Sequence, residues 1–411
     1  MIQKIKGTMD ILPDETPLFR YIEGIMREEA EKYGFGEIRL PTFELTELFV
    51  RGVGDTTDVV QKEMYTFLDG EDSISLRPEG TAGVVRAFIE NGKYGDTMPQ
   101  KYYYIMSCFR HEKPQAGRTR EFFQFGTEMF GSDTPAADAS VIALGAAVLR
   151  RLGLKNVKLH INSIGCKACR PTYKKALTDH FAFHKAELCE TCLGRLDKNP
   201  LRLLDCKSPI CSSFAKDAPR TVDHLCPDCQ AHFEALRTLL DAMGIEYVVD
   251  PSIVRGLDYY TRTVFEFIAE GIAAQSTVCG GGRYDGLVES LGGPALSGIG
   301  FGMGLTRVIL ALKQAGIDPI SPVSPKLYIA SLGERATVKA LEITERLRRE
   351  GYFVECDLIG KSLKAQMKYA NKLGADYTLI LGDSEIDAGK AQLRDMKNSE
   401  QREVDLESFT L

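Results

Sequence analysis

The sequence predicts an α+β protein: an antiparallel-sheet core interrupted by a helical, cysteine-rich insertion, then a small C-terminal α/β domain. Three observations predict it. Hairpin-like strand pairs dominate the first third of the chain, close cysteine pairs crowd one segment between two helical stretches, and strands alternate with helices after residue 326.

Residues 17–33 place Leu18, Ile22, Ile25, Met26 and Tyr33 near helical spacing, and Gly34 is positioned to end this amphipathic helix. Strand-like runs follow at 37–40, before Pro41, and at 64–68 and 73–76, the last two joined as a hairpin through Asp69 and Gly70. Segments 101–110 and 120–130 are rich in aromatic and β-forming residues, whereas 111–119 is polar with Pro114 and Gly117; two antiparallel strands around a long loop are expected. Helices at 136–152 and 228–244 bracket the cysteine-rich stretch, an insertion at about 166–248, and strand signals resume over 255–268. Pro319, Pro322 and Pro325 mark a linker within 317–326, dividing the chain into domains 1–320 and 326–411. In the second, strands at 327–331, 352–357 and 377–381 alternate with helices at 335–349 and 363–373, which implies a largely parallel sheet.

A chain of 411 residues with 44% hydrophobic and 26% charged residues lies well inside the globular range. No apolar run approaches bilayer-spanning length and the first ten residues lack secretory features, so a cytoplasmic protein with no membrane partner is expected. The net charge of −6 argues against non-specific coating of nucleic acid, which wants a basic surface, but leaves room for local basic patches.

Side chains alternate along a strand, so Tyr104, Met106, Cys108 and Arg110 share one face and Gln124 and Glu128 share another. If those faces coincide, Arg110 meets an amide and a carboxylate, with Arg118 in the loop above; a lone strand-end arginine is otherwise a solvated charge. Arg77-Pro-Glu-Gly-Thr81 ends a strand and opens a helix, which puts Glu79 and Thr81 at a cleft or merely in a turn. Arg255-Gly-Leu-Asp-Tyr-Tyr260 joins a cation to two phenols, which suits a polar pocket, although Asp258 could simply cap a turn. Glycines at every second position in Gly300–Arg307 lack the spacing and context of a dinucleotide-binding loop. The cluster Gly280–Gly286 points to close backbone packing or ligand approach.

Taken in order, these segments resemble the histidyl-tRNA synthetase family of class II aminoacyl-tRNA synthetases over essentially the whole chain. The resemblance rests on Lys6-Gly-Thr-Met-Asp-Ile-Leu-Pro13, the Pro41 segment of motif 1, Arg77-Pro-Glu-Gly-Thr81, and Phe109-Arg-His-Glu-Lys-Pro114 with Arg118 in motif 2. Arg255-Gly-Leu-Asp-Tyr-Tyr260, Gly281-Gly-Arg-Tyr-Asp-Gly286 and motif 3 at Gly300–Arg307 complete it.

The resemblance implies a class II catalytic core, an anticodon-binding C-terminal domain and, through motif 1, a homodimer. Its substrates would be L-histidine, ATP with Mg2+, and tRNA(His). By the same resemblance the catalytic residues are Arg110, Arg255 and Arg307: Arg110 grips the α-phosphate and Arg255 takes the place a metal ion fills in related enzymes. Arg118 and Arg307 handle the triphosphate, Arg307 also stacks on adenine, and Glu112 orients it. Glu79, Thr81 and Gln124 would surround the α-ammonium, with Arg110 and Arg255 beside the carboxylate. Glu128 and Tyr260 would read the two imidazole nitrogens and Tyr259 would line the pocket; a donor and an acceptor together suit neutral imidazole. Gln115 would lie near the tRNA acceptor end. Lys361, Lys364, Lys368 and Lys372 form a stripe able to contact phosphates, or a solvated face.

Of the 11 cysteines, Cys166/Cys169, Cys189/Cys192, Cys206/Cys211 and Cys226/Cys229 form close pairs, enough ligands for two tetrahedral thiolate zinc sites. Reduced, unligated thiols are the alternative; Cys108, Cys279 and Cys356 read as packed residues. The nearest rival is the non-catalytic regulatory subunit of ATP phosphoribosyltransferase, which resembles the catalytic domain but would lack the second domain and degrade the arginines. A nicotinamide-dependent dehydrogenase would rest on the glycines alone.

Overall fold

The structure is a computed structural model and describes the chain except residues 56, 116, 199, 205, 207, 254–256, 270–276 and 321–322 and the side chains of 198 and 202. It divides into two compact units, Met1–Pro319 and Ile320–Leu411. Among the described residues no helix is long and apolar enough to cross a membrane.

The first unit is organised on an eight-stranded sheet. Its central strands run antiparallel in the spatial order Gln100–Phe109, Glu121–Phe130, Gly298–Gly304, Thr277–Arg283, Thr261–Ala269 and Val157–Ser163. Gly36–Glu37 and Tyr247–Val249 add short parallel edges. Period-two alternation sends Phe125, Met129, Phe265, Phe267, Phe301 and Met303 to one face, where they form the main core. Helices Thr16–Lys32, Pro135–Arg151, Pro227–Ala242 and Leu305–Gln314 cover that face. Thr134 begins the second of these by accepting the Ala137 amide at 3.4 Å, with Pro135 in the first turn.

The opposite face carries the polar residues and is partly covered in turn, Tyr104, Phe130 and Tyr284 packing with Val84, Val85, Phe88, Leu287 and Val288. A separate three-stranded sheet pairs Phe43–Leu45 and Thr66–Asp69 with Asp72–Leu76, so the expected hairpin forms. The strand expected at 37–40 is shorter, Gly36–Glu37, ahead of Pro41, which has no amide to donate. The strand expected from residue 255 begins at Thr261. Residues 257–259 are bent into a turn instead, and the Asp258 amide bonds the Val53 carbonyl at 3.2 Å. At Arg262 the backbone takes φ 49, and the pairing register with Thr277–Arg283 shifts between Gly282 and Arg283.

The second unit has a five-stranded sheet in the order Val354–Cys356, Leu327–Ser331, Tyr377–Leu381, Lys390–Asp395 and Gln401–Asp405. The first three strands are parallel, as expected. The last two are antiparallel and make the sheet mixed rather than largely parallel. Only Asp383–Ala388 separates the third strand from the fourth, and a five-residue turn joins the fourth to the fifth, too short for a parallel crossover. Leu327, Ile329, Ile343, Leu347, Leu379 and Leu393 form its core. The expected linker overlaps the unit boundary, with Pro322 outside the described residues.

Candidate active site

The second face of the large sheet has a floor of glycine. Glu128 lies opposite Gly300 and Gln124 opposite Gly304, while Gly126 faces Gly302, which in turn faces Gly280. A β-carbon on Gly300 would strike the Glu128 carboxylate and the Thr127 carbonyl, and one on Gly302 would strike the Gln124 amide. Gly126 and Gly80 similarly make room for the Tyr104 ring. The glycines whose spacing excludes a dinucleotide loop thus sit inside antiparallel strands, where their role is to let side chains lie flat on the sheet.

On that floor stands a polar slot. Glu128 is 1% exposed and accepts three hydroxyls: Thr81 at 2.8 Å and Tyr104 at 3.3 Å on Oε1, and Tyr284 on Oε2. Burial pushes its carboxyl up to about 8 against the pull of those hydrogen bonds. Tyr259 packs against Tyr260 with centroids 4.6 Å apart and ring planes tilted by 48°, and meets Tyr284 edge-on at 5.7 Å, so three phenols cluster at the slot. Glu79 is also buried, and its carboxyl is raised by burial, with opposing hydrogen bonds from the Ala82 and Thr81 amides. Those amides, at 2.9 and 2.8 Å, open the helix Thr81–Glu90, so Glu79 fixes the turn into that helix. Gln124 receives the Cys108 thiol at 3.6 Å, and burial pushes that thiol up to about 12.

The guanidinium groups gather around the loop between the long strands. Arg118 lies 3.0 Å and Arg110 3.8 Å from the two oxygens of Glu112. Arg307, in the first turn of Leu305–Gln314, donates to the Gly117 carbonyl at 3.3 Å and the Thr277 carbonyl at 2.8 Å. The carboxylate that Arg110 meets is therefore Glu112, not Glu128. The strand ends at Phe109, and Arg110 turns to donate to the Pro78 carbonyl at 2.8 Å over the Phe122 ring. The N-terminal signature packs on the same loop: the Gly7 carbonyl accepts the Arg120 amide at 2.7 Å.

A buried charge network supports the slot from behind. Arg283 points through the core face and bonds Asp138 with Nε at 3.0 Å, while Asp138 also accepts His232 at 2.7 Å and Thr263 at 2.6 Å. Burial pushes the Asp138 carboxyl up, but the His232 hydrogen bond and the Arg283 charge outweigh it and hold it below the usual carboxylate range. Tyr284 follows directly on the strand's last residue, its amide bonding the Gly298 carbonyl at 2.8 Å, and its phenol lies on the side opposite Arg283, at Glu128.

Arg255 lies outside the described residues. Gln115 is exposed in the loop, bridged to Arg118. In the second unit Lys364, Lys368 and Lys372 are exposed on Leu363–Leu373, whose buried residues are Gln366 and Ala370. Lys361 precedes that helix rather than lying on it; its ammonium is 5.8 Å from the Tyr369 ring centroid. The cysteine pairs assemble into two quartets, Cys166/Cys169/Cys226/Cys229 and Cys189/Cys192/Cys206/Cys211, either of which could hold a metal ion.

A six-strand antiparallel platform with its polar slot on the face opposite the main core and its motifs at strand ends is the fold of the class II aminoacyl-tRNA synthetases. The family model described as histidyl-tRNA synthetase matches residues 7–308, and the anticodon-binding domain model matches 326–410. Histidine–tRNA ligase of Caldicellulosiruptor bescii is 51% identical over 409 residues, covering 99% of this chain and 97% of that one. The ligase of Acetivibrio thermocellus is 52% identical over 410 residues, covering 100% and 98%. The crystal structure of apo histidyl-tRNA synthetase from S. aureus superimposes with TM-score 0.84 at 39% identity, covering 99% of this chain and 98% of that one. The chain belongs to the histidyl-tRNA synthetase family, and so to the aminoacyl-tRNA synthetase enzymes.

Proposed function

We infer that the chain is a histidine–tRNA ligase that activates L-histidine with ATP and transfers it to the 3′ end of tRNA(His). The observation that carries this reading is Glu128. A carboxylate has roughly four acceptor positions, and Thr81, Tyr104 and Tyr284 use three. One remains for an imidazole N–H, and the Tyr260 phenol is the complementary partner for the other ring nitrogen. Glu79, Thr81 and Gln124 take the α-ammonium, with Tyr259 lining the slot.

In the first step a histidine carboxylate oxygen attacks the α-phosphorus of ATP, and pyrophosphate leaves with its bond electrons. Two anions must meet in line, so Arg110 on the α-phosphate and Arg118 and Arg307 on the triphosphate cancel charge, with Arg255 beside the carboxylate. Arg307 also stacks on adenine, which Glu112 orients; Mg2+ arrives on the triphosphate as part of the substrate. In the second step a hydroxyl of the terminal ribose attacks the histidyl carbonyl and AMP departs.

In this reading residues 1–320 form the catalytic domain, with the insertion at about 166–248, and 326–411 form the anticodon-binding domain. Gln115 meets the acceptor end, and Lys361, Lys364, Lys368 and Lys372 meet phosphates of the tRNA. The enzyme works in the cytoplasm as a homodimer, which gel filtration tests. Retention of the motif arginines and of the second unit argues against a regulatory subunit. A dehydrogenase is disfavoured because the glycines lie in antiparallel strands, not in a strand-to-helix turn.

Exchange of labelled pyrophosphate into ATP that depends on histidine is the expected result. Absence of exchange, or exchange driven equally by other amino acids, overturns the reading.

A further inference from the structure

We propose that each cysteine quartet holds one structural Zn2+ in a tetrathiolate site, and that the outer ion props the backbone presenting Tyr259 and Tyr260 to the amino-acid slot. The quartets are nested in sequence: the first and last pairs meet, enclosing the two inner pairs. All four sulfur atoms of a quartet lie within 4.8 Å of one another. The separations Cys166–Cys169 at 3.7 Å, Cys166–Cys226 at 3.8 Å and Cys189–Cys206 at 3.9 Å far exceed a disulfide bond of about 2.05 Å. They match the edge of a sulfur tetrahedron with Zn–S bonds of about 2.3 Å, roughly 3.8 Å.

The surroundings suit thiolates. Cys169 occupies the N-cap position of the helix Arg170–Ala182, Cys226 that of Pro227–Ala242, and Cys189 immediately precedes Glu190–Lys198, so each stands at the positive end of a helix. Backbone amides also donate to sulfur: Cys226 to Cys169 at 3.1 Å, Cys189 to Cys211 at 3.3 Å and Ser208 to Cys206 at 3.4 Å. Binding one ion by four thiols releases four protons and leaves a site of net charge −2, which these donors help to offset. The inner quartet contributes Cys192 and Cys211 to a small core with Tyr173, Leu177, Phe181 and Leu203, the kind of core that needs a staple.

The outer quartet touches the catalytic unit's strained strand start. Just before Cys166, the Ile164 amide donates to the Arg262 carbonyl at 2.8 Å and the Arg262 amide to the Gly165 carbonyl at 2.9 Å. Just after Cys169, Arg170 donates to the Tyr260 carbonyl. Gly165, at φ +69, has no room for a β-carbon, which would lie 2.7 Å from that of Cys169. The segment bound to the outer ion therefore grips both sides of the kink at Arg262.

The kinetic half of this proposal rests on the ligase reading; the metal half does not. Full-length protein made in zinc-replete medium and purified without chelator should contain two zinc ions per chain by elemental analysis. Cys229→Ser and Cys211→Ser should each contain one. Cys229→Ser, and Arg170→Met with both ions retained, should raise KM for histidine in pyrophosphate exchange about tenfold while KM for ATP moves less than about twofold. Fewer than two zinc ions in the unmodified chain, or iron in their place, overturns the metal assignment. Equal movement of both KM values, or of neither, in Arg170→Met overturns the coupling even if Cys229→Ser does not fold. Loss of all exchange in the unmodified chain with two zinc ions bound would indict the ligase reading instead.

Discussion

The Tyr284 phenol reaches across the strand Gly298–Gly304 to donate to Oε2 of Glu128. It does so over bare backbone: a β-carbon on Gly298 would collide with the Tyr284 ring, and one on Gly300 with the carboxylate itself. Thr81 and Tyr104 fix the other oxygen, so the carboxyl group has no rotational freedom left to spend on binding.

In the proposed reading, this fixation makes Glu128 the principal discriminator of the histidine side chain. Glu128→Ala is expected to raise KM for histidine about 100-fold or more, because a site built to pair a ring N–H loses that partner, while KM for ATP changes by less than about threefold. Pyrophosphate exchange measured against each substrate separately checks it; parallel loss of both would place Glu128 outside the histidine slot.

Protonation of the same group sets a pH dependence on the ligand-free fold. Burial raises Glu128 to about 8, above its unfolded value near 4.5, so between those values the native state holds a proton that the unfolded chain has released. Its contribution to stability is full below the lower value and is lost as pH rises through the upper one. Glu128→Gln cannot ionise and should therefore gain stability relative to the parent at alkaline pH and little at about pH 5. Urea midpoints at several pH values test this, and identical pH profiles for the two proteins would refute it.

Asp138 behaves in the opposite sense. Its carboxyl is held below the usual range, so its stabilisation is present above the unfolded value and disappears as pH falls through the folded one. Asp138→Asn leaves the fully buried Arg283 with only the partly exposed Asp285 as counter-charge and is expected to cost about 1.5–3 kcal/mol. Chemical denaturation at neutral pH reads the loss; a change below about 1 kcal/mol would mean the network contributes little.

The exposed lysines of the second unit should act on tRNA alone. Reversing Lys364 and Lys368 to glutamate is expected to raise KM for tRNA roughly tenfold at low salt and to flatten its salt dependence. Pyrophosphate exchange, which needs no tRNA, should keep its rate. A change in exchange with no effect on aminoacylation would remove these side chains from the tRNA contact.

Much of this architecture was legible from periodicity. Aromatic alternation located the two long strands and put Gln124 and Glu128 on one face, and Gly34 sits just beyond the first helix, which ends at Lys32. The hairpin Lys390–Asp395 and Gln401–Asp405 escaped notice because only Ala391, Leu393 and Val404 carry its inward pattern among charges. Tyr104 stands on a strand face read from alternation and Tyr284 within Gly281–Gly286, yet their shared carboxylate has no sequence signal, because strand order alone brings residues 24 and 156 positions away onto Glu128. Asp138 and His232 carry no local signal, and Arg283, although within Gly281–Gly286, gives no sign of its partners, for the same reason. Nor does cysteine spacing say which pairs meet, since every pair looks alike until the chain is folded.

A chamber whose base is peptide and whose sides are bulky can be reshaped in one direction only. Enlarging it to admit bigger imidazole analogues means trimming Tyr104, Tyr259 or Tyr284, since the base offers no atoms to remove. Any added group at Gly126, Gly300 or Gly302 shrinks the chamber and displaces Tyr104, Glu128 or Gln124, which lie against those glycines. Redesign of amino-acid preference is thereby confined to the phenols.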